Sequence, residues 1–274
     1  RAKVSFGQPW VICIRTYGRS GLLDDGAGSV GKQKGVLGLT LNALELAGLD
    51  DPEFRERVHI FVAHDDPHFT SGRYSAALQP NWDDRIIVGV RGADRQVRFI
   101  EECFCSGQHV IVCDDNIVWF RVWCGGYDFR RPSPHSPCEL AELFRRAELE
   151  MARRGANLWG LSPTTNPRFV NSSGTCAEVK TNLGLVYGAF FGFICRHDPS
   201  LYTRYGQVKD DLERTLRYWD RDRIVLRFAH YVCRKSHRPG QFSAKKGGIS
   251  TLGAEAHRSE AEDAVRQIAE GFAR

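Results

Sequence analysis

The first half of the chain alternates apolar runs with segments whose apolar residues recur at helical spacing. The runs WVICIRT, VHIFVAHDD, RIIVGVRG and HVIVCDDNIVWF are predicted strands, and their near-continuous apolar stretches are typical of strands covered on both faces of a sheet. Leu37, Leu41 and Leu44 give the segment after the first run a helical period, SGRYSAALQ predicts a short helix, and DRQVRFIEECF predicts a helix capped by Asp94. This alternation predicts a Rossmann-like α/β architecture with a mainly parallel sheet flanked by helices.

Polar residues stand at the carboxyl ends of these predicted strands. Parallel strands bring such ends to one edge of a sheet, where the ligands of α/β proteins bind. The residues concerned are Arg15 and Thr16, Asp65 and Asp66, Arg91, and Asp114 and Asp115. Their shared position favours a functional role over a role in turns alone.

The second half of the chain loses the simple alternation. An amphipathic helix is predicted around residues 139–151, and a loop rich in aromatic residues, Pro and Asn follows it. Glycines punctuate the apolar stretch TNLGLVYGAFFGFICR, which is typical of strands that cross closely. The remaining segments predict a charged helix that opens with Asp210 and Asp211, one strand in RIVLRFAHYVCR, and an amphipathic helix over residues 254–274. Because no clear linker interrupts the chain, we expect residues 1–274 to form a single domain.

Composition excludes several classes of protein. In 274 residues, no apolar run approaches the roughly 20 needed to span a bilayer, so no membrane partner is expected. The opening RAKVSFGQPW does not resemble a secretory signal. Nine cysteines without a single CxxC argue against a zinc ribbon or a disulfide framework. We therefore expect buried free thiols in an intracellular protein, nuclear in a eukaryote and otherwise cytoplasmic.

The charge distribution is more informative than the net charge. A net charge of +5 is too small to establish nucleic-acid binding. The stretch CRKSHRPGQFSAKK, however, contains five Lys and Arg residues and no acid, which suits the phosphate of a nucleotide or of nucleic acid. A solvated basic loop is the alternative.

The acidic triplet Asp114, Asp115 and Asn116 interrupts the apolar segment HVIVCDDNIVWF. Two adjacent carboxylates within a buried strand require compensation, because an unpaired buried charge costs several kcal/mol. A turn, a metal ion or a cationic ligand would each supply it.

Taken in order, these segments resemble the TET/JBP-associated glycosyltransferase family. The resemblance runs from about Trp10 to Ile249 and is carried by CIRTYGR, VHIFVAHDD, IIVGVRGADRQVRFI, HVIVCDDNIVWF, LWGLSPTTNP, YGAFFGFI, KDDLERTLRYW and KKGGI. It implies a GT-A type nucleotide-sugar transferase fold, with a nucleotide-binding half over about residues 9–122 and an acceptor-side half over about 123–274. It also implies transfer of a hexose, from a donor that we expect to be UDP-linked, to 5-hydroxymethylcytosine or 5-hydroxymethyluracil in DNA. An oxygenase of the TET/JBP type would make the hydroxymethyl group.

The resemblance assigns a divalent metal, Mn²⁺ or Mg²⁺, to the acidic triplet. Asp114 and Asp115 match the metal-binding motif after the fourth strand, although Asn116 stands where relatives more often carry a third acid. Hard carboxylate oxygens suit these ions, and an Asx turn is the alternative. His230 is a further candidate metal or phosphate ligand, whereas a structural role is the common one for a lone histidine.

The other candidates divide between the donor and the acceptor. The proposed nucleotide-sugar ligands are Arg15, Thr16, Arg91, Gln96, Asp114, Lys246, Gly247 and Gly248. Asp211, and after it Asp210, are candidates for the base that deprotonates the acceptor in an inverting enzyme, with helix capping as the alternative. The proposed acceptor-side residues are Trp159, Gly160, Asn166 and Lys235. Trp159 would stack on an extruded base, or else pack in the core.

Two other functions remain open at this point. The same fold would also serve transfer to a protein, a glycan or a small molecule. The second alternative is not an enzyme: the chain would be a catalytically inactive domain that binds nucleotide or DNA.

Overall fold

A computed structural model describes residues 9–20, 36–49, 52–78, 82–125, 128–130, 139–166, 179–236 and 253–273. Its strands are β1 (Trp10–Thr16), β2 (Val58–Ala63), β3 (Ile86–Gly89), β4 (His109–Asp114), β5 (Ile117–Gly125), β6 (Asp128–Arg130), β7 (Leu158–Leu161), β8 (Val179–Lys180), β9 (Phe190–Ile194), β10 (Leu226–Phe228) and β11 (Tyr231–Lys235). Its helices are α1 (Val36–Glu45), α2 (Pro52–Glu56), α3 (Pro67–Thr70), α4 (Arg73–Leu78), α5 (Ala93–Cys103), α6 (Glu139–Arg154), α7 (Asp210–Asp222) and α8 (Ala254–Gly271). None of the described helices is long and apolar enough to cross a membrane.

The larger sheet has eight strands in the order β3-β2-β1-β4-β9-β7-β10-β8. β1 pairs in parallel with β2 and β4, β2 with β3, and β7 with β10, whereas β9 and β8 run antiparallel to their neighbours. The sheet is therefore mixed and mainly parallel. This confirms the predicted fold class of a Rossmann-like α/β architecture with a mainly parallel sheet flanked by helices. Because β9 pairs with β4, both predicted halves of the chain contribute to this one sheet.

The sheet separates two hydrophobic cores, because successive residues of a strand point to opposite faces. Ile12 and Ile14 of β1 pack in the core that contains residues of α1, α2, α4 and α6. Val11 and Cys13 pack in the other core, with residues of α5 and α7. The same alternation continues to the carboxyl end of β1, where it sends Arg15 and Thr16 to different faces. Among the described residues, Cys13, Cys113, Cys195 and Cys233 are buried free thiols, as predicted.

Two predicted strands are each divided in two. The segment HVIVCDDNIVWF contains β4 and β5, which belong to different sheets, and the chain turns between them at Asp115 and Asn116. Thr40 of α1 supports this turn, because its hydroxyl donates to the Asp114 carbonyl (2.9 Å) and accepts from the Ile117 amide (2.8 Å). RIVLRFAHYVCR likewise contains β10 and β11. The predicted cap of α5 is also wrong: Gly92, not Asp94, is the N-cap, and its φ of 102° favours glycine.

The smaller sheet, in the order β11-β5-β6, lies across the carboxyl edge of the larger one. At one end of β11, the Ser162 amide after β7 donates to the Tyr231 carbonyl (3.0 Å). At its other end, the Ser236 amide donates to the Asn116 carbonyl (2.8 Å), beside the end of β4. β11 therefore carries Lys235, its last residue, to the carboxyl ends of β1 and β4.

Candidate functional site

Charged side chains from four parts of the chain meet where β1 and β4 end. We call this group the edge cluster: Arg15, Arg19, Asp114, Asp115, Asp210, Asp211, Arg214 and Lys235. It contains residues from the carboxyl ends of β1 and β4, from the start of α7 and from the end of β11. It is built across both faces of the sheet.

On one face, Asp114 lies between two cations. Arg15, its register partner in the neighbouring strand, donates from Nη2 to Oδ1 (2.7 Å), and Lys235 Nζ lies 2.6 Å from Oδ2. Burial by itself would raise the pKa of Asp114, but Lys235 and Arg15 together lower it to about 2. Asp114 in turn raises the pKa of Lys235 against the opposing effect of burial. Both side chains are therefore charged at neutral pH.

On the other face, Asp115 has its own separate partners. Thr16 donates from its hydroxyl to Oδ2 (2.8 Å), and Arg19 donates from Nη1 to Oδ1 (2.8 Å). Adjacent residues at a strand end point to opposite faces, so the two carboxylates diverge rather than converge. This answers the question that the acidic triplet raises: a turn and protein cations compensate the buried charges.

A buried network holds the segment that carries Arg19. Tyr74 of α4 donates its hydroxyl to Asp66 Oδ2 (2.8 Å), lies 3.2 Å from the Thr16 hydroxyl and accepts from the Arg19 amide (3.2 Å). Asp66 Oδ2 also accepts from the Gly18 amide (2.8 Å). Burial and the Asp66 charge both raise the pKa of Tyr74, so the phenol keeps its proton. Asp66, at the end of β2, is therefore a positioning residue for the edge cluster.

The two acids that open α7 differ in environment. Asp210 is buried and forms an ion pair with Arg214, one turn further along the helix, and another with Arg15 at 3.6 Å. Asp211 is partly exposed and accepts from the backbone amides of Gly188 (3.3 Å) and Leu212 (2.9 Å). Burial raises the pKa of Asp211, and the neighbouring Asp210 charge raises it further. Asp211 is thus the acid of this pair that combines access to solvent with a raised affinity for a proton.

Arg15 connects these parts to one another. Besides Asp114 and Asp210, its guanidinium donates to the carbonyls of Gly188 (3.0 Å) and Ala93 (3.3 Å). With four protein acceptors around it, the side chain is 11% exposed and organises the cluster. Thr16, predicted beside Arg15 as a nucleotide ligand, likewise directs its hydroxyl to Asp115.

Three predicted site residues have structural roles instead. Gln96 is buried, and its Oε1 accepts from the Val90 amide (2.8 Å) at the end of β3. Trp159 is fully buried and donates from Nε1 to His109 (2.8 Å), so the stacking hypothesis is wrong and the core-packing alternative holds. Gly160 lies in β7, where a Cβ would come within 2.8 Å of the Val186 side chain.

His230 does not belong to the edge cluster. It precedes β11, and its carbonyl accepts from Trp123 at the end of β11 remote from Lys235. Five residues of strand separate the two side chains, about 16 Å at about 3.3 Å per residue. Burial and the nearby Arg146 lower the pKa of His230 to about 4. His230 is therefore too far from the edge cluster to share a metal ion with Asp114 and Asp115.

The other predicted residues are exposed or lie outside the described ranges. Arg91, after β3, is exposed, pairs with Asp65 (3.4 Å) and lies over the Tyr17 ring (5.1 Å) at the same sheet edge. Asn166 is exposed in the loop after β7. Lys246, Gly247 and Gly248 lie outside the described residues.

Sequence reasoning missed Arg19, Tyr74, Gly188 and the positioning role of Asp66. Arg19 stands three residues beyond β1, close enough to have been a candidate. The alternation of strand side chains also predicts that adjacent acids diverge. Tyr74 and Gly188 carry no local signal, because their contacts join segments far apart in sequence.

The acid pair does not fit a divalent metal. Mg²⁺ and Mn²⁺ require several oxygen ligands that converge on one point. Here the carboxylates diverge, and all four of their oxygens already accept from Arg15, Lys235, Thr16 or Arg19. In the part of the chain that the structure describes, no group of three His, Cys, Asp or Glu side chains is arranged to hold a metal. Asn116 contributes only a neutral amide oxygen.

No protein-family model matches this chain, and no curated protein does either. Solved structures with some similarity include S. aureus TarS 1–349 (TM-score 0.44, 12% identity, 82% of this chain and 60% of that one). They also include a CMP:2-keto-3-deoxy-manno-octonic acid synthetase complexed with CTP (TM-score 0.41, 14% identity, 81% and 89%). A third is a protein from Desulfovibrio desulfuricans G20 that is described as a nucleotide-diphospho-sugar transferase (TM-score 0.41, 15% identity, 96% and 99%). With TM-scores below 0.5, these likenesses carry no argument about activity, and this chain spans less than two thirds of the TarS structure.

Proposed function

We propose that this chain is a glycosyltransferase that moves a hexose from a UDP-sugar to the hydroxymethyl group of 5-hydroxymethylcytosine or 5-hydroxymethyluracil in DNA. The observation that carries the transfer activity is Asp211 at the edge cluster. A carboxylate with a raised pKa, bonded to backbone amides and partly exposed, suits a general base. It stands near cations that would favour an anionic donor.

In the proposed reaction, Asp211 takes the proton of the acceptor hydroxyl while that oxygen attacks the anomeric carbon of the sugar. The bond from this carbon to the diphosphate oxygen breaks, and its electrons leave with the nucleoside diphosphate. A single displacement of this kind inverts the anomeric configuration. Asp210 contributes by holding Arg15 and Arg214 in place.

The donor side of the proposal rests on position and chemistry. Parallel sheets bind nucleotides beyond the carboxyl ends of their strands, and the edge cluster occupies that place in this sheet. Tyr17, Asp65 and Arg91 supply a ring, an acceptor and a cation beside it, which would suit a nucleobase.

The DNA acceptor rests on the sequence resemblance and on the basic stretch that begins at Cys233. An oxygenase of the TET/JBP type would supply the hydroxymethyl group. An intracellular location, nuclear in a eukaryote, follows from such an acceptor.

Mass spectrometry of nucleosides tests the function. The protein is incubated with UDP-hexoses and duplex DNA that carries hydroxymethylcytosine or hydroxymethyluracil, and the nucleosides are examined for the added mass of one hexose. We expect Asp211→Asn to lower kcat by about 10²–10⁴-fold, the usual contribution of a general base. Asp220→Asn, on the exposed part of the same helix, is the matched control and should retain activity.

Transfer to protein or glycan acceptors in preference to DNA would show that the protein is a glycosyltransferase with a different acceptor. Binding of UDP-sugars without transfer or hydrolysis, with every acceptor offered, would instead indicate an inactive nucleotide-binding module.

A further inference from the structure

The proposed base stands in the first turn of a helix, so its position depends on how the chain enters that helix. Asp211 is the second residue of α7, and the N-cap of α7 is Lys209. An ammonium group has no acceptor, so the Lys209 side chain cannot cap the amides of the first turn. The start of α7 must therefore be held by other residues.

A buried glutamate of α7 itself holds the first part of the entry segment, which we define as residues 204–208. Glu213 is fully buried, and its carboxylate accepts from the backbone amides of Arg204 (2.9 Å) and Tyr205 (2.9 Å). Arg217, one turn further along α7, donates from Nε to the same carboxylate (2.7 Å). Residues 204 and 205 are thereby attached to the body of the helix.

A second glutamate, from α8, holds the last part of the entry segment. Glu260 Oε1 accepts from the backbone amides of Gln207 (2.8 Å) and Val208 (3.3 Å). Gly206 has a φ of 96°, and a Cβ there would lie 2.9 Å from Glu260 Oε1. A larger residue would both strain the backbone and displace the carboxylate. The entry segment is thus suited to receive the Glu260 side chain.

The helix that carries Glu260 is also anchored by other contacts. Ala264 and Ile268, one and two turns further along α8, are buried. At the end of α8, a Cβ on Gly271 would lie 2.5 Å from the Tyr205 hydroxyl, so the helix packs closely against the entry segment there. Replacement of Glu260 alone should therefore remove its two hydrogen bonds and leave α8 in place.

The entry segment connects with the edge cluster. The Gln207 side chain accepts from the Ala93 amide (3.4 Å) at the start of α5, and the Ala93 carbonyl accepts from Arg15 (3.3 Å). Asp211 accepts from the Gly188 amide at 3.3 Å, which is at the long end of the usual range for such a bond. A small displacement of the start of α7 would break this contact and move the carboxylate.

We propose that Glu260 is a positioning residue for the proposed base: by holding the amides of Gln207 and Val208, it fixes the start of α7 and hence the place of Asp211. The inference rests on the proposed function, because it takes Asp211 as the base. It implies that a substitution on α8 alters the chemical step rather than the binding of the donor.

Steady-state kinetics of hexose transfer tests this inference, with the UDP-hexose varied at saturating hydroxymethylated DNA. We expect Glu260→Ala to lower kcat by at least about tenfold and to change the KM for the UDP-hexose by less than about threefold, because misplacing a reacting group by about 1 Å can cost about 10²-fold. Glu260→Gln keeps an oxygen that can accept from both amides, so its kcat should stay within about threefold of the unaltered value. Glu262→Ala, exposed on the same helix, is the matched control and should retain full activity.

Hydrogen exchange followed by mass spectrometry measures the contact itself. In Glu260→Ala, the amides of Gln207 and Val208 should exchange faster than in the unaltered protein and in Glu262→Ala. The amides of β1 and β4 should exchange at unchanged rates, which separates a local loss of contact from a general loss of folding.

The inference is overturned if the unaltered protein transfers hexose and Glu260→Ala has the same kcat as Glu262→Ala. A change confined to the KM for the UDP-hexose, or a fall in kcat that Glu260→Gln shares in full, would overturn it as well. Each of these results would leave the glycosyltransferase proposal intact. If the unaltered protein transfers no hexose to any acceptor, the proposed function falls, and this inference falls with it.

Discussion

Replacing Tyr74 by Phe removes one hydroxyl from the network that holds the segment after β1. The bond to the charged Asp66 contributes about 1.5–3 kcal/mol and the bond from the Arg19 amide about 0.5–1.5 kcal/mol. Phenylalanine fills the same space as the tyrosine ring, so no cavity adds to this loss. We therefore expect Tyr74→Phe to lower the free energy of unfolding by about 2–4 kcal/mol.

Urea unfolding followed by tryptophan fluorescence measures this difference, provided that the slope of the unfolding free energy against urea concentration is the same in both proteins. Tyr202→Phe is the matched control: its ring lies at the surface near Arg98, and its stability should stay within about 0.5 kcal/mol. If Tyr74→Phe is as stable as that control, the network does not hold the segment after β1 and the reasoning is wrong.

Two further predictions follow from the packing and the charges. Gly192→Ala places a Cβ 2.2 Å from Trp159 Nε1, so we expect a loss of about 2–4 kcal/mol from overpacking and from displacement of the bond to His109; unchanged urea unfolding would contradict the packing of β9 against Trp159. Asp114 has a folded-state pKa of about 2, below its unfolded value near 4, so its contribution of about 2 kcal/mol is present above pH 4 and is lost as the pH falls towards 2. The midpoint temperature of thermal unfolding, measured between pH 2 and pH 6, should depend less on pH in Asp114→Asn than in the unaltered protein. Identical pH profiles for the two proteins would refute the lowered pKa of Asp114.

Strand and helix order followed from the apolar pattern because each buried strand and amphipathic helix is encoded locally. Even there, two apolar segments contained chain reversals that the pattern did not indicate: Asp115 with Asn116 between β4 and β5, and Ala229 with His230 between β10 and β11. An apolar run indicates burial but not in which sheet its residues pair. Trp159 and Gln96 show that the sequence does not reveal the burial of a single side chain either. An aromatic or amide side chain near a strand end has the same local sequence pattern whether it packs in the core or faces a ligand.

The sequence by itself determined that Arg15, Thr16, Asp114 and Asp115 come together, because the carboxyl ends of parallel strands share one edge. The tertiary structure alone decided their partners. Arg15 meets Asp114 through strand register across 99 residues, and Lys235 reaches it only because β11 crosses the sheet edge. Ion pairs act over a few ångströms between groups that are distant along the chain. The charged residues can therefore be identified from the sequence, whereas their ion-pair partners are determined only by the folded structure.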